Sequence, residues 1–239
     1  MLSAVVRADT VHVWQLDLDA ATARAGSRLR AALSEEERSR SVRITDPVLR
    51  SRFETARAAA RRVLGRYLAE DAARLIWRTG RWGKPYIAGH ESALRFSLSH
   101  SGGVALLAVT GPRDIGVDLD RPREGRDFLA LSRRFFTADE SALVAAAPAA
   151  DRAGVFLSMW TRKEACTKAA GTHMLGRGLG FSVSGAPGAS GAVRAYDPSG
   201  GVAGDWAVRD VPAPPGYRAA LALHGTAPAH MTVRQWEPQ

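Results

Sequence analysis

Hydrophobic and polar positions change period several times along the chain. Val11 and Val13 alternate with His12 and Trp14, so the chain opens with a strand. Ser34-Glu35-Glu36-Glu37 is a capping box: the serine hydroxyl bonds the third helical N–H and Glu37 reaches back, which starts a helix. That helix is broken at Asp46-Pro47. A longer one follows over about 49–68, with Phe53, Ala56, Ala60, Val63, Leu64 and Tyr67 on one face. Arg50, Arg52, Arg57, Arg61, Arg62 and Arg66 populate its remaining surface. Residues 80–89 are turn-rich around Gly83-Lys84-Pro85.

Two strand-like runs, 94–98 and 104–110, are joined through Ser99-His100-Ser101-Gly102-Gly103, and 115–119 reads as a further strand. Thr137-Ala138-Asp139-Glu140 is a second capping box, opening a helix that stops before Pro148. A strong helix over 156–170 is ended by Gly171. From Gly185 on, the chain is rich in Gly, Pro and Ser, with short strands at 206–208 and 217–223. Strands and helices in each half predict an α+β fold with a boundary near 111–115.

Composition narrows the class. With 239 residues, 46% hydrophobic and 24% charged, the chain suits one large or two small globular domains and is too apolar to be disordered. The longest apolar run, 104–109, falls far short of the ~18–20 residues of a membrane span. Arg7, Asp9, Asp17 and Asp19 leave no room for a signal-peptide core. The single cysteine, Cys166, excludes an intrachain disulfide and a cysteine-based zinc site. The expectation is a soluble cytoplasmic protein without a membrane partner.

Thirty-three basic against twenty-four acidic residues give +9, which favours a polyanionic partner. Only Lys84, Lys163 and Lys168 are lysines. In so arginine-rich a chain a lysine is informative, because arginine's planar fork cannot replace a compact ammonium at a crowded site.

Three segments carry chemistry. In Gly116-Val117-Asp118-Leu119-Asp120 the two carboxylates share one face of a strand, with Val117 and Leu119 on the other. Like charges so close call for a cation, and oxygen ligands suit Mg²⁺. In Trp160-Thr161-Arg162-Lys163-Glu164-Ala165-Cys166-Thr167-Lys168, Trp160, Glu164 and Lys168 fall on one helical face. A carboxylate beside lysines is what a metal-bound diphosphate needs. In Phe96-Ser97-Leu98-Ser99-His100-Ser101-Gly102-Gly103, a small, hydroxyl-rich turn with a histidine lets backbone and side chains approach a phosphate.

These segments, in the order Trp82-Gly83-Lys84-Pro85, Ser97-Leu98-Ser99-His100-Ser101, 116–120 and 160–168, resemble the 4′-phosphopantetheinyl transferase superfamily, in its Sfp-type, single-chain branch. The resemblance covers nearly the whole chain: Ser34–Arg43 is similar to the family's N-terminal helix and 215–219 to its closing strand. It implies transfer of the phosphopantetheine arm of coenzyme A to a serine of an apo acyl or peptidyl carrier protein, releasing adenosine 3′,5′-bisphosphate. Such carriers serve fatty-acid, polyketide or nonribosomal peptide synthesis.

The resemblance also implies two similar α+β halves related by a pseudo-twofold, with the active site in the cleft between them. The N-terminal half, 1–113, would hold the 3′-phosphate and adenosine. The C-terminal half, 114–239, would hold the metal and the catalytic helix. Asp118, Asp120 and Glu164 match the ligands of Mg²⁺, with Mn²⁺ as a substitute. Glu164 is also the candidate general base, directly or through a metal-bound water. Lys168 matches the lysine on the diphosphate, and Lys163 would be a helper nearer to solvent. His100 and Arg40 match positions at the 3′-phosphate, Ser99 lies on the nucleotide and Lys84 matches the lysine by the adenosine.

The implied assembly is a monomer that steers acidic carrier helices to its cleft. The departures are Ser97 where the family often has Asn, Asp120 in place of the commoner Glu, and the run Gly171-Thr172-His173-Met174, in which His173 reads as a loop residue.

A nucleic-acid-binding module is the competing class, on the charge and the arginine-rich helix 49–68. Against it, the arginines are dispersed among many acids and the aromatic residues, 7% of the chain, form no stacking set. No nucleic-acid partner is therefore expected. A homologue that binds coenzyme A without transferring is the other alternative, and the intact set of Asp118, Glu164, Lys168 and His100 argues against it.

Overall fold

In this computed structural model, residues 6–172, 181–183, 191–195, 202, 204–227 and 229–238 are described. His173 and Met174 lie outside them. The chain begins with β1 (Thr10–Asp17), α1 (Leu18–Arg30), α2 (Glu35–Val42) and α3 (Pro47–Leu68). A hairpin of β2 (Trp77–Thr79) and β3 (Pro85–Ile87) leads into β4 (Arg95–Ser101) and β5 (Val104–Thr110). Next come β6 (Ile115–Asp120), α4 (Phe128–Phe135), α5 (Ala138–Ala146) and α6 (Arg152–Ala170). The remaining strands are β7 (Gly191–Ala195), β8 (Gly204–Asp210), β9 (Arg218–His224) and β10 (His230–Gln235). The architecture is mixed α+β.

Two four-stranded sheets, ordered β10-β1-β5-β4 and β6-β9-β8-β7, share one apolar layer. Val11, Val13, Leu106 and Ala108 of the first meet Val117, Leu119, Leu221 and Leu223 of the second. Because side chains alternate along a strand, the intervening residues face helices instead. Trp14, Leu16, Leu107 and Val109 pack with α1 and α3, and Ala220 and Ala222 pack with Ala165 and Ala169 of α6. Strands buried on both faces read as continuous apolar runs, as β5 does.

The division expected at 113/114 is not followed by the last strand. β10 pairs in parallel with β1, and Trp236 beyond it joins the core of the first sheet. β4 also corrects the sequence reading: Ser99-His100-Ser101, read there as turn, is strand, and only Gly102-Gly103 turns the chain. Neither α1 nor α4 was anticipated. Each starts at an aspartate cap, Asp17 accepting from the Ala20 N–H and Asp127 from the Leu129 and Ala130 N–H groups.

The helices expected from pattern start where their caps dictate. Ser34 and Glu37 form the reciprocal capping box of α2, Asp46 and Pro47 begin α3, and Thr137 and Glu140 cap α5. Gly171, in the left-handed region at φ 66°, ends α6.

Candidate active site

β4 and β6 are edge strands of the two sheets, and serine hydroxyls take the place of a backbone ladder between them. Ser97 Oγ accepts from the Val117 N–H at 3.1 Å and Ser99 Oγ from the Leu119 N–H at 3.3 Å. The departure at Ser97 therefore supplies a main-chain bond to β6. Ser99 Oγ donates to Asp118 Oδ1 at 2.8 Å, and Ser101 Oγ donates to Asp120 Oδ1 at 2.8 Å. Buried edge N–H groups are satisfied, and one oxygen of each aspartate is fixed.

α6 closes on this edge. A Cβ on Gly116 would overlap the Ala165 carbonyl oxygen, so only glycine lets β6 and α6 approach this closely. Lys168 Nζ then reaches Asp118 Oδ1 at 2.6 Å and Ser99 Oγ at 3.0 Å. Asp118 is buried, while the Lys168 side chain keeps 33% of its surface open.

Glu164, one turn earlier on α6, feels both aspartates. Burial first, then repulsion from Asp118 and Asp120, raises its carboxyl to about 7, with Lys168 pulling the other way.

Among the described residues, no three His, Cys, Asp or Glu side chains form a ready-made group that could hold a metal ion. The carboxylates thus make no closed cage. The chemistry of the donor set still fits a hard divalent cation that keeps open positions: all ligands are oxygens, and the repulsion felt by Glu164 marks an excess of negative charge.

A second group of side chains gathers on the helix-facing side of β4. His100 is exposed. Loss of part of its hydration, and then the positive charges of Lys168, Arg57 and Arg40, hold its imidazole below the ordinary value. Arg40 lies over the Phe53 ring at 5.3 Å, and Arg57 over the Trp77 ring at 4.3 Å. Glu37 fastens α2 to α3: besides its capping role it pairs with buried Arg61 at 2.5 Å and faces Arg57 at 3.6 Å. The result is a cluster of cations around an exposed histidine.

Sequence alone does not single out Arg57, one of six arginines expected on the open surface of α3; of these Arg61 is instead buried, where it pairs with Glu37. The signal for Arg57 lay in the aromatic residues Phe53 and Trp77, which hold it toward β4.

Three expected site residues sit differently. Lys163 is fully buried rather than near solvent. It pairs with the equally buried Glu140 at 2.8 Å and donates to the Phe181 carbonyl. Burial lowers its proton affinity, with Glu140 opposing. Its position is that of a structural cation tying α5 to Phe181, and it does not reach the carboxylates. The Ser99 hydroxyl, expected on the nucleotide, is buried and engaged by Asp118, Lys168 and Leu119. Lys84, expected beside the adenosine, donates to Asp114 Oδ1 at 2.6 Å and to the Ala169 carbonyl.

The sequence model of the 4′-phosphopantetheinyl transferase superfamily matches residues 114–221, which contain β6, α6 and the first four residues of β9. Over 165 residues the chain is 37% identical to 4′-phosphopantetheinyl transferase HetI of Nostoc sp., covering 68% of this chain and 69% of that protein. It is 34% identical over 147 residues to slr0495 of Synechocystis sp., named for the same activity, covering 61% of this chain and 60% of that one. To a phosphopantetheinyl transferase of Thraustochytrium sp. it is 28% identical over 169 residues, covering 66% and 57%. The chain thus spans under two thirds of the latter two proteins. With the carboxylate strand and the Glu164–Lys168 helix inside the matched segment, the chain belongs to the 4′-phosphopantetheinyl transferase superfamily, a family of transferases.

Proposed function

We propose that the protein moves the 4′-phosphopantetheine arm of coenzyme A onto a serine hydroxyl of an apo acyl or peptidyl carrier protein, with adenosine 3′,5′-bisphosphate as the other product. The observation that carries this reading is the convergence of Lys168, Asp118 and Glu164 at the β6–α6 contact, a few residues from a cationic cluster around His100. A diphosphate flanked by a 3′-phosphate needs those two sites at once. Membership of the transferase family agrees with it.

Asp118, Asp120 and Glu164 would hold Mg²⁺ or Mn²⁺, which would supply positive charge against a diphosphate. Glu164 takes the proton of the incoming serine hydroxyl. The serine oxygen then bonds to the phosphorus bearing pantetheine as that phosphorus loses its bridging oxygen to the adenosine-side phosphate. Lys168 faces the departing phosphate and offsets its growing charge. Arg40, Arg57 and His100 take the 3′-phosphate, arginine by paired N–H donors.

The Sfp-type, pseudo-twofold arrangement is part of this reading, supported by one four-stranded sheet and one long helix on each side, α3 and α6. The +9 balance would draw acidic carriers to the cleft, and a cytoplasmic monomer completes the proposal. No described helix is long and apolar enough to cross a membrane.

The test is the intact mass of apo acyl and peptidyl carriers after incubation with the protein, coenzyme A and Mg²⁺, with and without EDTA. Gain of one phosphopantetheine arm, abolished by EDTA, is the expected result. No gain on either carrier while coenzyme A binding persists would leave a binding homologue and overturn transfer.

A further inference from the structure

Lys84 occupies the turn of the β2–β3 hairpin, where Gly83, at φ 82°, reverses the chain and the Gly80 N–H closes on the Lys84 carbonyl at 2.9 Å. Its side chain leaves the hairpin altogether. The ammonium donates to Asp114 Oδ1 at 2.6 Å and to the carbonyl of Ala169, in the last turn of α6. The stem passes Gly171, where an added Cβ would lie 3.2 Å from Lys84 Cδ. Asp114 directly precedes β6, its own carbonyl accepts the His224 N–H, and Arg95 at the start of β4 faces it at 3.9 Å. One half-buried ammonium therefore joins the hairpin, the lead-in to β6 and the end of α6.

The end of a helix is where such a cation has most to offer. At this negative end of the helix dipole the Thr167 and Lys168 carbonyls accept from the Gly171 and Thr172 N–H groups, and the Ala169 carbonyl accepts from Lys84. Ala169 is the residue after Lys168, and Glu164 is one turn back, so movement of this turn displaces both side chains.

We propose that Lys84 is a positioning residue, a strut from the β2–β3 hairpin that fixes the last turn of α6 and so sets Lys168 against Asp118, instead of a ligand of the adenosine. The catalytic consequence rests on the transfer reading above; the strut itself does not.

The experiment compares the full chain with Lys84→Met, Asp114→Asn and the double variant. Amide hydrogen exchange is followed over 165–172, calorimetry measures binding of adenosine 3′,5′-bisphosphate, and steady-state kinetics measure transfer. In each single variant, exchange in the last turn of α6 should rise roughly fivefold or more with little change elsewhere. The double variant should be no worse than the singles, as members of one contact are non-additive. Adenosine 3′,5′-bisphosphate affinity should stay within about twofold, while kcat falls about tenfold at unchanged KM for coenzyme A.

Loss of adenosine 3′,5′-bisphosphate affinity in Lys84→Met, with α6 exchange unchanged, would make Lys84 a nucleotide ligand and overturn the strut. Should Lys84→Met fail to fold, unchanged α6 exchange in Asp114→Asn would overturn it equally. A wild-type protein that transfers nothing defeats the transfer reading alone, since exchange still decides the strut.

Discussion

Ser101 Oγ donates to Asp120 Oδ1 at 2.8 Å, from the edge of one sheet to the edge of the other. The same oxygen accepts the Arg121 N–H at 2.9 Å. The carboxylate is thus clamped by one oxygen. Ser101→Ala should leave the fold intact and weaken Mn²⁺ binding about tenfold, as loss of a group that orients a metal ligand does. Ser101→Thr, which keeps the hydroxyl, should restore it. Mn²⁺ titration followed by electron paramagnetic resonance reads both, and equal binding by Ser101→Ala would remove the clamp from the account.

Lys168 is the cation bonded to Asp118. Lys168→Met should lower kcat for carrier modification by about 10²–10³ and leave the melting temperature close to that of the wild type. Single-turnover kinetics at saturating coenzyme A separate this from weaker binding. A loss confined to KM would move Lys168 from chemistry to substrate binding.

Glu164 has its carboxyl raised to about 7 by burial and by the two aspartates. A cation and a proton compete for it, so lowering the pH through 7 fills the site with protons. Divalent-cation affinity should be about tenfold weaker at pH 6 than at pH 8. Glu164→Gln should flatten that dependence. A wild-type affinity independent of pH over this range would contradict the raised carboxyl.

Arg57 joins Arg40 and Lys168 in depressing the proton affinity of His100. Arg57→Ala should therefore weaken coenzyme A binding about tenfold, the value of a charge-assisted hydrogen bond or two. It should leave 3′-dephospho-coenzyme A binding unchanged. Isothermal titration with both ligands provides the comparison, and equal losses for the two would place Arg57 elsewhere.

Gly116 meets α6 so closely that a methyl group would collide with the Ala165 backbone. Gly116→Ala should cost about 1–3 kcal/mol of stability, read from the urea midpoint. Gly125, around whose would-be Cβ there is open space, is a control for solvent exposure but not for strain, since its φ is 73°.

Much of this fold is legible in local chemistry. Ser34 with Glu37, and Thr137 with Glu140, announce their helices because capping is decided within four residues. Asp118 and Asp120 share a face because strand periodicity allows nothing else. What local pattern hides is partnership across the chain.

Lys163 and Lys168 are five residues apart on one helix, yet one is sealed against Glu140 and the other meets Asp118. At i and i+5 they project about 140° apart around the helix, and what the sequence hides is that Glu140 of α5 meets the first and Asp118 of β6 the second. Ser99-His100-Ser101 carries the small residues of a turn, and the antiparallel ladder to β5 makes it strand. Arg57 is indistinguishable in sequence from its neighbours on α3 until Trp77 arrives from the next hairpin.

β10 lies parallel to β1, with Thr10 opposite His230 and Gln15 opposite Gln235. A sheet begun at residue 10 is thus completed by residues synthesised some 220 positions later. During synthesis the first sheet waits with an open edge while everything between is made. The two sheets are consequently not successive folding units: β1 acquires its second neighbour only after the second sheet's strands have left the ribosome. Folding should therefore be one cooperative event of high contact order, slow beside that of a helical bundle of equal length.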